Sequence, residues 1–353
     1  MSTLALSRYA FLITSSCVAV FKRNRTVIAL CAAAIMLFLA DIFTGGSTLL
    51  RYAVIGSVAL GLSAAVSFGF RAFLVAVSPD KWAKEFRSLT LSASFGLIVI
   101  VLVLFTMVFA PWIAPYDQSE IVTSAFAPPD SNLWLGADQL GRDMFSRLIY
   151  GARNSVSLAM AATSAAFLIG TTAGLFAALK GGWIDQVLGR VTDIVISIPA
   201  LIFALLMLSI FGPKSTVIIV AVAVVYAPRA FRVTRAVAGG VVAMDYVEAA
   251  RLRGESTGYL IRKEVLPNCS APLLAEFGME FCFVFLLVAG LSFLGLGIQP
   301  PFADWGSMVR ENATLISFGE ITPLIPASCI AILTVGVNFV VDWMLHRSSG
   351  LKD

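Results

Sequence analysis

Apolar residues fill long runs of this chain, and polar residues collect between the runs. Eight runs have the length that a helix needs to cross a bilayer core of about 30 Å, which takes roughly 20 mostly apolar residues. They are Thr26–Phe43, Leu49–Phe70, Leu89–Ile113, Ser155–Leu179, Val191–Phe211, Thr216–Val237, Ala271–Gly297 and Ile321–Leu345. The alternation of apolar and polar positions that marks membrane-spanning strands is absent. The pattern therefore predicts an all-α, polytopic membrane protein with eight spans.

An additional apolar segment, Tyr9–Phe21, precedes the first run. Its thirteen residues are too few to span, and no small-residue cleavage pattern comes after it. Basic residues, beginning with Lys22 and Arg23, come directly after it. We expect a short interfacial helix here rather than a signal peptide.

Composition agrees with a protein that lies in a lipid bilayer. Hydrophobic residues make up 59% of the chain and charged residues 13%, against about 45–50% and about 25% for a soluble domain. The five cysteines show no paired metal-ligand spacing, and His346 is the sole histidine. We therefore expect no metal, no cofactor, no histidine-based catalysis and no nucleic-acid partner.

Basic residues sort unevenly between the two sides of the predicted membrane. With the N-terminus in the cytoplasm, 19 of the 25 Lys and Arg residues fall on the cytoplasmic side. Cytoplasmic loops carry such an excess of positive charge. Eight spans then also place the C-terminus in the cytoplasm, and the polar stretch at residues 245–267 lies on the same side.

That polar stretch has the pattern of two short helices joined by a turn. Asp245 followed by Glu248 has the spacing of a capping box, which predicts a helix starting near Tyr246. Gly254 is expected to end this helix in the left-handed conformation. A second helical run, Tyr259–Val265, is predicted to lead into the next membrane helix.

Within the first of these helices, Ala249 and Ala250 leave little side-chain bulk. A helix of this kind can settle closely into a groove on another protein. An ordinary solvated loop is the alternative that the spacing leaves open.

The stretch "EAARLRGESTGYLIRKEVLPN" at 248–268 resembles the EAA loop of permease subunits of bacterial ATP-binding-cassette importers. Further stretches resemble the C-subunit type of dipeptide and oligopeptide permease. They are "LGADQLGRDMFSRLIYGARNS" at 135–155, "GGWIDQVLGRVTDIVISIPAL" at 181–201, "YAPRAFRVTRA" at 226–236 and "LSFLGLGIQPPFADWGSM" at 291–308. The matches run in the family order from about Ala110 to Val309. One position departs, because Glu264 stands where the EAA pattern has an aliphatic residue.

The resemblance implies a type I importer fold with a six-helix core, in the bacterial inner membrane. The EAA loop would be a coupling helix that docks on an ATPase subunit, and the residues carried over for this role are Glu248, Ala249, Ala250, Gly254, Leu266 and Pro267. The implied partners are a homologous second permease, two ATP-binding-cassette ATPases and an extracytoplasmic substrate-binding protein. The implied substrates are dipeptides or oligopeptides, with nickel chelates, glycosides and opine-like compounds carried by related systems.

The chain does not carry a phosphate-binding loop of its own. The stretch "FGPKST" at 211–216 superficially resembles one, but it lacks the first glycine that such a loop requires. We therefore expect this chain not to be an enzyme, with ATP hydrolysed by separate subunits.

Two domains are predicted from the position of the resemblance. Residues 89–353 correspond to the permease domain, and residues 1–88 add two spans where the family usually has none. Because a pair of spans preserves the orientation of the six-helix core after it, we expect these two helices to pack at the periphery of that core.

Several further features leave alternatives open. Glu276 and Glu280 share a helix face and either line a translocation path or pair with the basic coupling loop. Residues Asp138–Arg153 are predicted to form an amphipathic helix on the outer membrane surface. Trp305 fits an interfacial anchor or a gate equally. Gly170 and Gly174 form a small-residue contact surface toward this chain or toward a second permease.

The alternative from another functional class is a secondary transporter or channel that works without ATPases. Paired broken helices in an internal repeat would favour it, and the sequence shows no convincing repeat. A membrane enzyme is a third alternative, for which no nucleophile and base pair is visible.

Overall fold

The computed structural model describes residues 48–79, 86–318 and 320–348, and ten helices of eight or more residues lie within them. We number them α1 Thr48–Val77, α2 Leu91–Ile113, α3 Met144–Lys180, α4 Gly182–Ile196, α5 Ala200–Phe211, α6 Ser215–Val242, α7 Asp245–Leu252, α8 Thr257–Phe293, α9 Trp305–Asn312 and α10 Leu324–Ser348. Within these residues, β pairing is limited to two isolated bridges. The all-α prediction is confirmed.

Five of the described helices are long and apolar enough to cross a membrane: α2, α3, α6, α8 and α10. The predicted runs at 89–113, 216–237, 271–297 and 321–345 coincide with four of them within a few residues at most ends, although α8 begins fourteen residues early. The run at 49–70 lies inside α1. The predicted segments Tyr9–Phe21 and Thr26–Phe43 fall outside the described residues.

The predicted continuous span Val191–Phe211 is wrong as a single helix. The chain forms α4 and α5 instead, and their axes are bent by 81° at the break. Pro199 is the N-cap of α5, with φ −60° and ψ 122°. Proline has no N–H for a continuing helix and disfavours helical backbone in the residue before it, and α4 accordingly ends before this position.

Helix α3 starts eleven residues before the predicted run because a carboxylate caps it. Asp143 accepts hydrogen bonds from the backbone N–H of Ser146 at 2.8 Å and from the Ser146 hydroxyl. Such caps satisfy backbone donors that have no partner inside the helix. The cap fixes the point at which a 37-residue helix begins.

Glycines let α3 and α6 approach closely. A Cβ atom at Gly170 would lie 2.3 Å from the Ala227 carbonyl oxygen, and one at Gly174 would lie 2.8 Å from the Phe231 carbonyl oxygen. No side chain fits in that space without a shift of backbone. The small-residue surface therefore meets another helix of this same chain, which resolves the open alternative.

The chain divides into two compact units, residues 1–98 and 99–353. In the first unit, the Arg71 guanidinium donates to the Arg87 carbonyl oxygen at 2.6 Å. In the second unit, α3, α6 and α8 pack against one another and carry α7 at one end. The predicted domain boundary after residue 88 stays a prediction.

Candidate functional site

Helix α7 lies in the polar stretch between the spans α6 and α8. It begins at Asp245, one residue before the predicted start, and Met244 is its N-cap with no side-chain hydrogen bond. The capping-box prediction is wrong, because the helix starts one residue too early for Asp245 to stand outside it. Asp245 and Glu248 lie in the first turn instead, where negative charge is favoured by the helix dipole.

One face of α7 is buried in this chain. Val247 and Ala250 are fully buried. Ala250 belongs to an apolar cluster whose other members come from α3, α6 and α8: Leu175, Leu179, Ala238, Leu260, Val265, Cys269 and Leu273. The side chain of Ala250, one of the six residues carried over for docking, thus packs inside the permease and joins α7 to three spanning helices.

The opposite face of α7 is exposed. Leu252 on this face has 83% of its surface accessible, and Tyr246, at the edge of the buried face, has 42%. Glu248, Ala249 and Arg253 are exposed as well. Leu252 is thus an uncovered apolar side chain on a short helix whose other exposed residues are mostly polar.

Gly254 ends this helix region in the predicted left-handed conformation, with φ +82°. The backbone N–H of Gly254 donates to the Arg251 carbonyl oxygen at 3.0 Å, and that of Glu255 donates to the Ala250 carbonyl oxygen at 3.3 Å. These bonds satisfy carbonyl groups at the helix end. A Cβ atom at this position would meet nothing within 4 Å, so the glycine serves backbone conformation and not close packing within the chain.

The second helix continues into the membrane without a break. The Ser256 hydroxyl caps its start by accepting from the Tyr259 N–H at 3.3 Å. Residues Leu260–Val265 form a widened π-helical turn, and the α-helical part begins at Leu266 with Pro267 in its first turn. Pro267 has no N–H for the carbonyl four residues earlier, and the wider turn lies directly before it. Leu266 and Pro267 are both exposed along this helix.

At the other end of α3, four charged residues form a buried ionic cluster: Asp138, Arg142, Arg147 and Glu311. Arg142 lies 2.7 Å from Asp138, and Arg147 lies 3.2 Å from it. Glu311 of α9 pairs with Arg142 at 3.2 Å and with Arg147 at 3.0 Å. The two arginines thus share two carboxylates, and the cluster ties α9 to the start of α3.

The predicted surface helix over Asp138–Arg153 is therefore wrong. Residues before Met144 form turns and bridges, Asp143 caps α3, and Arg147 is 1% exposed. Four-residue spacing of opposite charges indicates solvated helical pairs, but here these charges are buried. Glu311 is 164 positions from Arg147, and no local pattern in the sequence points to this partner.

Trp305 lies beside the ionic cluster and is 3% exposed. Its indole N–H donates to the Leu148 carbonyl oxygen at 2.9 Å, and Gly151 leaves room for the ring. Trp305 is therefore neither a membrane-interface anchor nor an exposed gate residue. Asp304 before it accepts from the Ser155 hydroxyl at 2.7 Å, and burial raises the pKa of the Asp304 carboxyl above its ordinary value.

Charged side chains also lie along the spanning helices. On α6, Arg232 pairs with Asp193 at 2.6 Å, and Arg235 pairs with Asp185. Glu276 and Glu280 of α8 make no ion pair with the α7 segment in the described part of the chain. The pairing with the coupling loop that the sequence left open is thus not observed there.

Comparisons with known proteins agree with these features. The family described as "Binding-protein-dependent transport system inner membrane component" matches residues 170–349. The family described as "N-terminal TM domain of oligopeptide transport permease C" matches residues 92–129.

Individual relatives match over most of their length. A dipeptide transport system permease protein of Alkalihalophilus pseudofirmus is 33% identical over 79% of this chain and 90% of that protein. A di/tripeptide transport system permease protein of Pseudomonas aeruginosa is 35% identical over 73% and 85%. An oligopeptide transport system permease protein of Bacillus subtilis is 32% identical over 76% and 86%.

A solved amino acid ABC transporter with histidines has a TM-score of 0.44 and 22% identity, over 57% of this chain and 94% of that one. The family matches and the relatives, together with the spanning helices, define a multi-pass membrane protein. The chain belongs to the family of binding-protein-dependent transport system inner membrane components and is a transporter permease, with homologues among the C subunits of dipeptide and oligopeptide ABC transporters.

Proposed function

We propose that this chain is a permease subunit of an ATP-driven importer and that α7 is the element that couples it to an ATPase. The two faces of α7 support this most directly. Ala250 packs the helix against the spanning helices, while Leu252 on the opposite face has its apolar surface uncovered. A helix with one face fixed in the membrane domain and one face free transmits the movement of a docked partner.

The coupling surface is drawn from Glu248, Ala249, Ala250, Gly254, Leu266 and Pro267, with distinct roles. Glu248 and Ala249 face the partner, and Ala250 holds the helix to α3 and α8. Gly254 fixes the turn. Leu266 and Pro267 begin the α-helical part of α8, through which the movement reaches the membrane.

The complete transporter contains a homologous second permease, two ATP-hydrolysing subunits and an extracytoplasmic binding protein. Closure of the ATPases moves α7, and α7 moves the ends of α3, α6 and α8 through the shared apolar cluster. Packed interiors shift between discrete arrangements more easily than they deform continuously. The spans thereby expose a central path to either side in turn.

Peptides are the proposed substrates, since the relatives named above are transport proteins for dipeptides, tripeptides and oligopeptides. ATP-dependent uptake tests the function. The full complex is reconstituted in proteoliposomes with its binding protein, and uptake of a labelled dipeptide is measured with ATP, without ATP and with an imposed proton gradient. Uptake that requires ATP supports the proposal, and uptake driven by the gradient alone favours a secondary transporter.

Both termini are proposed to lie in the cytoplasm, on the excess of basic residues there. Single cysteines at Ser256 and Ser131 in a cysteine-free chain test this. An impermeant thiol reagent added to intact cells should label position 131 and spare position 256. Labelling of position 256 from outside would contradict the orientation.

The two spans before residue 89 are proposed to be dispensable for transport. Deletion of residues 1–86 should leave ATP-coupled uptake measurable when the truncated chain is inserted and assembled. A truncated chain that assembles normally and transports nothing would place these spans in the mechanism.

A further inference from the structure

A second group of charged and aromatic side chains lies halfway along the spanning helices. Arg229 is the fifteenth residue of the 28 in α6, and Glu280 is the fifteenth of the 28 in the α-helical part of α8. At 1.5 Å per residue, each lies about 21 Å from the helix start. Both therefore lie in the interior of a spanning helix, where ionisable residues are costly and are retained for a role.

Three side chains of α8 lie on one face at this depth. Glu276, Glu280 and Phe283 are spaced four and three residues apart, which places them within one narrow stripe. The Arg229 guanidinium of α6 is 4.8 Å from the centre of the Phe283 ring and 5.6 Å from that of Tyr226. The Tyr226 hydroxyl of α6 also donates to the Phe283 carbonyl oxygen at 3.5 Å. Helix α6 thus brings one cation and one aromatic ring to the stripe of α8 that carries the two acids and Phe283.

The charges in this group lack the partners that neighbouring charges have. Glu280 is 1% exposed, and its Oε1 atom has no hydrogen-bond partner among the described residues. Arg229 is exposed and has no carboxylate within 4.0 Å in that same part of the chain. Arg232 and Arg235, one and two turns further along α6, each have an aspartate.

A buried carboxyl oxygen without a partner costs free energy, and a ligand that supplies a donor removes that cost. We propose that Arg229, Glu276 and Glu280 form a binding site in the membrane domain for the two charged ends of a zwitterionic peptide. The guanidinium binds the peptide carboxylate, for which its fork geometry is suited. The two glutamates receive the peptide ammonium group, and Phe283 and Tyr226 contact the apolar part.

Because the site carries both a basic and an acidic group, it favours a zwitterionic ligand over a simple cation or anion. A cationic ligand would leave Arg229 unpaired beside it, and an anionic ligand would leave Glu280 unpaired. This inference rests on the proposed function, because it names where the imported peptide contacts this chain.

Protection of a nearby cysteine tests the site without the binding protein. Leu286 is 48% exposed, lies one turn beyond Phe283 and is not part of the site. In a cysteine-free complex of permeases and ATPases, Leu286→Cys is labelled with a charged thiol reagent, with and without nucleotide. Dialanine is added up to millimolar concentrations, and dialanine amide, which has the ammonium group and lacks the carboxylate, is the matched ligand.

Dialanine should slow labelling about threefold when it occupies about two thirds of the sites, and the amide should protect less at equal concentration. Arg229→Gln should remove the difference between the two ligands, and Arg229→Lys should restore part of it. Arg232→Gln, the same change one turn away, should leave it intact. If the complex with Arg229→Gln does not assemble, the site is still tested by comparing protection by the two ligands in the unchanged complex and in the complex with Arg229→Lys.

Several results would overturn the site. One is that position 286 is not labelled in any nucleotide state, and another is that neither ligand protects it. Equal protection by both ligands, or protection that is unchanged in Arg229→Gln, would also overturn the site. ATP-driven dipeptide uptake by the same complex is measured in parallel. Normal uptake with any of these results overturns the site alone, whereas absence of ATP-driven uptake overturns the proposed function.

Discussion

The two ends of α3 are held by different physical means. At Met144, the ionic cluster joins α3 to α9 through buried, directional contacts of 2.7 to 3.2 Å. At Lys180, the apolar cluster joins α3 to α6, α7 and α8 through side chains that form no such bonds. One end is fixed by geometry that a small shift would break, and the other is held by contacts that allow sliding.

This difference fits the proposed roles. Apolar packing tolerates a small rearrangement without leaving a charge unpaired, whereas a buried ion pair does not. We infer that movement enters at the α7 end, where Leu252 is exposed, and that the ionic cluster acts as the fixed end of α3.

The largest effect is expected at the fixed end. Arg147→Met should lower the free energy of unfolding by about 3–5 kcal/mol, because it leaves two buried carboxylates sharing a single arginine. Thermal stability of the purified complex measures this. Arg153→Met is the control, since Arg153 is exposed on the same helix and should change stability by less than about 0.5 kcal/mol. Equal stability of the two variants would mean that the cluster does not fix this end.

A smaller loss of stability is expected between the two ends. Gly170→Ala places a Cβ atom 2.3 Å from the Ala227 carbonyl oxygen, and overpacking of this kind costs about 1–3 kcal/mol. Gly189→Ala in α4 is the control, because a Cβ atom there meets nothing within 4 Å. The same thermal assay should separate the two variants. An unchanged melting temperature for Gly170→Ala would show that α3 and α6 are not in close contact.

At the α7 end, a change should impair coupling more than folding. Gly254→Val forces a β-branched residue into a backbone with φ +82°, at a cost of about 1–2 kcal/mol. Recovery of ATPase subunits and ATP-driven uptake should fall while the chain still reaches the membrane. Gly258→Val is the control, since Gly258 lacks a positive φ and has open space around it. Equal uptake by both variants would mean that the left-handed turn at position 254 is not needed for coupling.

The smallest effect is expected for Glu248→Ala. The absence of a side-chain cap on α7 predicts a change in unfolding free energy below about 0.5 kcal/mol, where a true cap would be worth about 1 kcal/mol. Chemical denaturation of the complex checks this value. A loss of unfolding free energy near 1 kcal/mol would mean that Glu248 does take part in the capping box that the sequence predicts.

Local patterns predict most of the fold and part of the site. Apolar length locates the spans, and Gly254 locates the turn because glycine adopts the left-handed conformation at little cost. Hydropathy alone does not reveal the break in the span Val191–Phe211, although Pro199 is visible in the sequence. Proline within an apolar run is one signal of such a break, although α6 continues through Pro228.

Other features have no local signal. The Arg142 and Glu311 pair spans 169 positions, and only tertiary structure brings them together. The inward direction of Ala250 results from packing against three helices, whereas the sequence shows only two adjacent alanines. The meeting of Arg229 with Phe283 likewise depends on how α6 and α8 cross.

The role of α7 as the docking element is tested most directly by its exposed leucine. Leu252→Glu places a charge on the outward face without touching the buried one, and Phe318→Glu makes the same change at an equally exposed residue that comes after Glu311 and the fixed end. At matched membrane abundance, recovery of the ATPase subunits with the tagged permease is measured for both variants. We expect at least about a tenfold loss for Leu252→Glu, equivalent to about 1.4 kcal/mol, and unchanged recovery for Phe318→Glu. Normal recovery and normal uptake with Leu252→Glu would contradict the docking role of α7.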